Sequence, residues 1–528
     1  MRKFTALFFN EIVKVRYKPT VIIFLALILL AGTLGSYGTK LFSLLVSSAY
    51  SYYTSDTATK ENSTKEEIAN LQTQINEINV RMDSIAESDF SEEEKTGMLL
   101  SIRYELGSAQ DNLDVYTLAL ENGIYPSYEN NFLGDTIFTL LSMKASLRDA
   151  QIAFETKPTD SLQEEIDLTL SLIRDYESAL INKDYMGFIN TDRRRIDSSS
   201  QLTTREKESQ TKLLDIRLAL MPDGNLNASR DSEARLSAFY AFQTKLASID
   251  EGVNPMTGEP MNLEARQFAE SELQVMNYRI ENNCYPIRAD DNDRITAYNA
   301  SISIGMFLIT VMMLILAGSS VSHEMSTGSI KSLIIAPVKR YKIWLAKITS
   351  LLFVGLVAVL LLYVSSILFH GFAFGFGSTV PYVFSSGDSI QVISAYVYIL
   401  LKIIILYIDV VFLVCFAFMF SVISRNTALS VALPLAAFFG GSIAKQVMMI
   451  LPNLEVLKFL PFNNLDLTSR IFPYAGLMSG SSEITYEMMI TPFNFQMPSA
   501  LFSLIYLLVV ASVMLFISFD SFTRRDIR

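Results

Sequence analysis

The sequence predicts an all-α membrane protein with six transmembrane helices, an N-terminal amphipathic elbow helix, and an extracytoplasmic domain of helical hairpins with coiled-coil character. Three observations predict it. Half of the 528 residues are apolar, and they concentrate in runs at 21–34, 302–321, 343–369, 403–423, 428–451 and 501–519. Most of these approach or exceed the roughly 20 residues that carry a helix across about 30 Å of hydrocarbon. The clusters of Lys and Arg beside the runs fall on one side, and the long polar stretch after the first run repeats its apolar residues every three or four positions.

Residues 1–19 form the elbow. Phe4, Phe8, Ile12 and Val15 fall on one stripe beside Lys3, Lys14, Arg16 and Lys18, which suits a helix lying in the interface with its basic face toward anionic lipid head groups. Pro19 marks a bend before the first span, residues 20–48. That span has the basic flank and apolar core of a signal sequence, but the hydrophobic region continues past Gly32 and Gly35, and Ser47-Ser48-Ala49 is a poor cleavage site. An uncleaved anchor is expected.

Residues 49–297 form the outer domain. Ile68, Leu71, Ile75, Ile78, Met82 and Ile85 make one stripe; Leu99, Ile102, Leu106, Ala109, Leu113, Tyr116 and Leu120 make the next. The pattern weakens through Leu162, Ile166, Ile173, Tyr176 and Leu180, and later through Leu236, Phe239 and Leu246. Between residues 56 and 294 there are 24 Lys and Arg against 44 Asp and Glu, a balance of −20, so that with −11 overall the remainder carries +9. An acidic outer domain on a basic membrane base offers no clustered positive face for nucleic acid; the exception, Arg193-Arg194-Arg195, reads as a solvated turn. An extracellular partner for residues 56–294 is compatible with such a tower.

The remaining spans are expected at 298–321, 343–369, 393–423, 427–451 and 499–519, with a connecting loop at 322–342, an outer loop at 370–392, a re-entrant or interfacial segment at 452–498 and a tail at 520–528. Lys331, Lys339, Arg340 and Lys342, then Arg425, then Arg524, Arg525 and Arg528 all fall on the side of the N-terminal cluster. A multi-pass plasma-membrane protein with both termini cytoplasmic satisfies every cluster. Trp344 is expected at head-group level, and small residues beside aromatics at Ala437-Phe438-Phe439-Gly440-Gly441 suit close helix packing.

Enzyme chemistry is not expected. No Gly-x4-Gly-Lys-[Ser/Thr] loop occurs, nor His-Glu-x-x-His, nor Gly-x-Ser-x-Gly, and the only histidines are His323 and His370. Cys284 and Cys415 lie too far apart in the expected topology to pair or to build a thiolate metal site. Within the membrane the costly groups are Asp409, with Lys402 seven residues before it on the same face, and Lys445 at a similar level of the fifth span. A structural ion pair or snorkelling lysines explain them without function; a polar contact in a translocation path is the alternative.

The loop at 322–342 carries the most specific signal. Glu324, Gly328-Ser329, an aliphatic stretch containing Lys331, then Pro337-Val338 and Lys339-Arg340 follow in that order after a second span. This order resembles the coupling loop of ABC-2 type ABC transporter permeases, with Ser329 standing where threonine is more usual. The elbow helix and an outer-face break in the fifth helix are also similar to that family; the insert between the first two spans is not.

The resemblance implies the permease subunit of an ATP-driven exporter. It implies a separate cytosolic ATPase as partner, with ATP and Mg bound there and no cofactor in this chain, and a second permease protomer, identical or not. Glu324, Gly328, Lys331, Pro337, Lys339 and Arg340 become the expected ATPase-coupling residues, with Glu324 paired to Lys331, Lys339 or Arg340. A membrane-anchored extracellular coiled-coil scaffold or receptor, or a secretion-system membrane subunit without ATPase, is the alternative. An anchor needs one span and no patterned loop, which ranks it second.

Overall fold

A computed structural model describes residues 2–54, 57–88, 91–129, 131–200, 202–221, 230–253, 260–284, 294–329, 338–376, 380–386, 389–424, 426–448, 458–475 and 498–524. In chain order the helices are α1 (Arg2–Arg16), α2 (Pro19–Thr54), α3 (Thr57–Ala86), α4 (Glu92–Glu121), α5 (Phe132–Thr156), α6 (Asp160–Ile181), α7 (Tyr185–Ser198), α8 (Thr204–Leu220), α9 (Arg230–Glu251), α10 (Leu263–Glu281), α11 (Arg294–Ser319), α12 (Ser322–Ser326) and α13 (Arg340–Phe374). A two-stranded hairpin, β1 (Tyr382–Ser386) and β2 (Ser389–Ile393), precedes α14 (Ala395–Ile423), α15 (Thr427–Met448), α16 (Pro461–Asn464), α17 (Thr468–Ile471) and α18 (Ala500–Arg524).

The chain divides into two compact units, one of residues 1–45 with 248–528, the other of residues 46–247. The second is the smaller helical unit. Its sequence stripes become its core: Ile78 of α3 meets Ile102 and Ala109 of α4, with Ile75, Met82, Ile85 and Leu106 against them. Ser91 starts α4 with a capping box, its hydroxyl accepting from Glu94 N–H while the Glu94 carboxylate accepts from Ser91 N–H. Arg81 of α3 donates to Glu105 of α4 at 2.6 Å across the hairpin. A second core gathers Val115, Ile137, Leu140, Ile173, Tyr176, Phe188 and Leu214 from α4 to α8.

Among its described residues the apolar unit holds five helices long and apolar enough to cross a membrane: Pro19–Gly38, Ala297–Ser326, Arg340–Phe374, Ala395–Ile423 and Ala500–Arg524. A sixth crossing was expected at residues 427–451. There the structure has α15, with Pro434 inside it, whose apolar described part, Thr427–Gly441, is shorter than a span. Helix α11 is the hub, packed on α13, α14 and α15, while α18 lies on α14 and α13. Small residues set these approaches: a Cβ on Gly35 would overlap Ser301, and one on Gly318 would meet the Ser430 carbonyl at 2.6 Å. Trp344 is 9% exposed, donates to Ser518 Oγ at 2.9 Å and meets Phe418 and Phe519 edge-on, so it staples α13 to its neighbours instead of standing outside the bundle.

Two features differ from expectation. The loop expected at 370–392 contains the paired strands β1 and β2, with Tyr382 opposite Ile393 through to Ser386 opposite Ser389. The boundary between the two compact units falls at Ser248, inside the stretch expected as one outer domain to residue 297. Helix α10 shows why. Arg279, 2% exposed, donates to Pro381 O at 2.8 Å, Phe268 stacks on Tyr474, and Ser271 Oγ lies 2.8 Å from Tyr474 Oη. Tyr382 in turn stacks on Tyr398 of α14, with Phe472 edge-on to both.

Candidate functional site

Helix α1 packs on α13, Phe8 edge-on to Phe353 and Val15 buried. Its apolar stripe thus meets protein. That orientation carries Glu11 and Lys14, one turn apart, to the junction between α11 and α13. At the same junction α11 breaks after Ser319 and resumes as α12, which holds Glu324.

The break would leave backbone donors buried without partners, and serines from other helices supply them. Ser421 Oγ of α14 accepts from both Val321 and Ser322 N–H at 3.0 Å. Ser430 Oγ of α15 lies 2.9 Å from Gly318 O and 2.8 Å from Ser322 Oγ. This is a polar splint around a helix end whose orphan groups need satisfaction.

Four charges meet behind the splint. Lys347 of α13, its side chain 1% exposed, reaches Glu324 Oε1 at 2.9 Å, Glu11 Oε2 at 3.0 Å and Ser320 O at 3.3 Å. Lys14 Nζ reaches Glu11 Oε1 at 2.8 Å and Glu324 Oε1 at 3.2 Å. Two carboxylates and two ammonium groups therefore alternate, joining α1, α12 and α13. Glu324 Oε2 is buried and makes no hydrogen bond among the described residues.

The electrostatics follow from this packing. Burial by itself raises the Glu11 carboxyl, but the ammonium charges of Lys347 and Lys14 outweigh it and hold Glu11 below its usual value. Burial opposes charge on Lys14 too, and Glu11 with Glu324 raises it regardless. Lys18 is lowered, because its burial and the repulsion of Lys347 outweigh the attraction of Glu324 and Glu11. An ion network of this depth constrains geometry more than it stabilises the fold, because desolvation consumes most of the Coulombic gain.

The expected coupling residues distribute as follows. Glu324 pairs with Lys14 and Lys347, because its helix turns back toward α1 and the second turn of α13. Gly328 has φ of 71°, the left-handed conformation that the expected reversal requires. Lys339 precedes α13 as its N-cap, and Arg340 donates to Thr523 O at 3.3 Å near the end of α18. Lys331 and Pro337 lie outside the described residues.

The intramembrane polar residues form other contacts. Asp409, midway along α14, accepts from Asp466 N–H at 2.9 Å, and Asp466, at φ of 63°, takes a 2.7 Å hydrogen bond from Thr468. Lys402 donates to Asn299 Oδ1 of α11 at 2.9 Å. The side chain of Lys445 lies outside the described residues. The Asp409 contact belongs to the segment 458–475, where Arg470, 9% exposed, donates to Asn463 O and to Ser503 Oγ of α18. Buried backbone off a regular helix is thus satisfied by side chains.

Sequence reasoning passed over Lys347, although a lysine inside the apolar run at 343–369 was the available signal. It also passed over His370, whose ring stacks on Tyr298 at 3.9 Å and whose Nδ1 lies 2.6 Å from Ser366 O and 2.9 Å from Ser36 Oγ.

Comparison with known proteins locates the same part of the chain. Residues 273–528 match the family model described as "Protein of unknown function (DUF2705)", a stretch that begins in α10 and takes in the helices from α11 onward. The chain is similar to two proteins of Bacillus subtilis (strain 168). One, "Uncharacterized protein YhcI", is 25% identical over 264 residues, 48% of this chain and 75% of that protein. The other, "Uncharacterized membrane protein YdbK", is 27% identical over 232 residues, 44% of this chain and 82% of that protein. No solved structure matches. The apolar helices and the membrane-protein relative together support a membrane location.

Proposed function

We propose that this chain is the permease subunit of an ATP-driven exporter of the ABC-2 type, with six spans, α15 completing the fifth crossing, both termini cytoplasmic, and an outer domain whose α3–α4 hairpin is an antiparallel coiled coil. One observation carries the reading. Lys347 holds Glu11 and Glu324 within 3.0 Å, so the elbow helix, the short helix of the loop and the third span are clamped at one charged point. A push on residues 322–342 by a cytosolic ATPase would reach α1 and α13 together, because the clamp leaves little independent play between them.

In this reading the ATPase subunit binds ATP and Mg, two permease protomers face each other, and lipid covers exposed apolar positions such as Leu501, Ile505, Leu508 and Phe516 of α18. Asp409 and Asp466 hold the segment 458–475 in place, as a re-entrant piece requires. The cargo is not specified by these contacts, since one membrane bundle serves many substrates.

The test is purification of the full chain from its native membrane in mild detergent. A P-loop ATPase subunit is expected in stoichiometric amount. A homogeneous preparation that contains no ATPase under conditions preserving other membrane complexes contradicts the reading and favours the scaffold alternative.

A further inference from the structure

The helical unit of residues 46–247 contains a cavity of about 380 Å³ walled by α5, α7, α8 and α9. Its size falls in the range of small-molecule pockets, about 300–1,000 Å³. Two ion pairs make its inner wall. Arg217, 5% exposed, pairs with Asp135 and lies 5.3 Å over the Phe188 ring, while Arg195 pairs with Asp192 at 2.7 Å. The wall is polar but balanced in charge. A charged ligand would have to displace a partner and strand its counter-ion, which is heavily unfavourable at this burial.

What the cavity does offer is neutral hydrogen bonding beside open aromatic surface. The Asp135 side chain remains 41% exposed and can accept from a ligand while paired, and Gln243 Nε2 is buried with no hydrogen-bond partner among the described residues. Phe138 and Tyr240 also line it, 75% and 43% exposed. A large aromatic that open to water is a stacking platform awaiting an apolar ring face. Charge balance excludes an ionic ligand, the ionic wall disfavours an amphipathic helix, and no strand edge is present among the unit's described residues for an extended peptide.

We propose that this cavity binds a neutral polyhydroxylated ligand, a sugar or short glycan, one ring stacked on Phe138 and Tyr240 and its hydroxyls held by Gln243 and Asp135. Binding is weak per ring, because each contact exchanges for water, and it adds up along an oligomer. The proposal stands independently of the ATPase: it concerns the outer unit alone.

The experiment uses the full chain in nanodiscs and saturation-transfer NMR, with chitotriose and maltotriose as the sugar probes and the neutral tripeptide Ala-Gln-Ala as the rival. The expected result is saturation of at least one trisaccharide, with affinity falling about tenfold, the equivalent of one lost contact, in both Phe138→Ala and Gln243→Ala. Phe138 is too exposed for its removal to disturb the core, and unchanged circular dichroism and elution verify this. Absence of both sugars, sugar binding that survives both substitutions, or binding of the tripeptide alone overturns the proposal.

Discussion

Lys347 is the residue on which the charged joint turns. It is buried with two carboxylates within 3.0 Å, so replacing it removes the most deeply buried counter-charge of Glu11 and Glu324 and leaves them to Lys14. Breaking a buried pair from one side is destabilising by about 3–5 kcal/mol. Lys347→Met should therefore lower the thermal midpoint of the purified protein, whereas the triple change Glu11→Gln, Glu324→Gln, Lys347→Met should recover most of the loss, a non-additivity that a mutant cycle measures. Additive effects would mean that the three groups do not act as one.

The same residues set a pH window. Glu11 is held below its ordinary value of 4.5, so its contribution is present above that pH and disappears as pH falls through the lowered value. Lys14 is raised above 10.5, so its contribution is present below that pH and is lost as pH climbs through the raised value. Attachment of α1, followed by a spin label at exposed Phe9, should hold at neutral pH and loosen as pH falls below about 4.5 or climbs above about 10.5. Loosening at neutral pH would contradict the assignment. At this scale the sequence was only partly legible: Glu324 and Gly328 stood out, but Lys14, one partner of Glu324, comes from a helix 310 positions away, and linear spacing cannot register such a contact.

At the scale of elements, α12 is five residues long and has little intrinsic stability, since a single turn does not offset its nucleation. Its position depends on Ser421, which takes two backbone N–H groups at once. Ser421→Ala leaves both donors buried and unmatched, at about 1–3 kcal/mol each. Hydrogen exchange at Val321 and Ser322 should accelerate by one to two orders of magnitude, an order for each ~1.4 kcal/mol, with α3 and α4 unaffected. Unchanged exchange would remove the splint. The helices α3 and α4 were legible in full because local stripes supply their core. The hairpin β1–β2 was not: its alternation, Tyr382-Val383-Phe384 against Ile390-Gln391-Val392, is short and surrounded by aromatics, and its stability comes from α10 and the Tyr398 stack.

At the scale of the molecule, hydropathy picked out the long apolar helices, since a spanning helix must be long and apolar. Hydropathy and charge do not mark the boundary between the two compact units. Residues 248–284 are polar and helical like the insert before them, so composition has no step there, yet Arg279, Phe268 and Ser271 bind them to the apolar unit. A deletion confined to residues 46–247 should therefore leave the apolar unit monodisperse, while one extended through residue 281 should aggregate by exposing Tyr474 and Tyr382; size-exclusion chromatography distinguishes them.

The central claim is that the charged joint transmits the action of an ATPase. ATP hydrolysis by the purified complex in nanodiscs, compared between the native chain and Glu324→Gln, tests it most directly. The account predicts that the ATPase subunit stays bound in both and that its turnover in the Glu324→Gln complex falls about tenfold or more, one contact's equivalent. Equal turnover in the two complexes would contradict it.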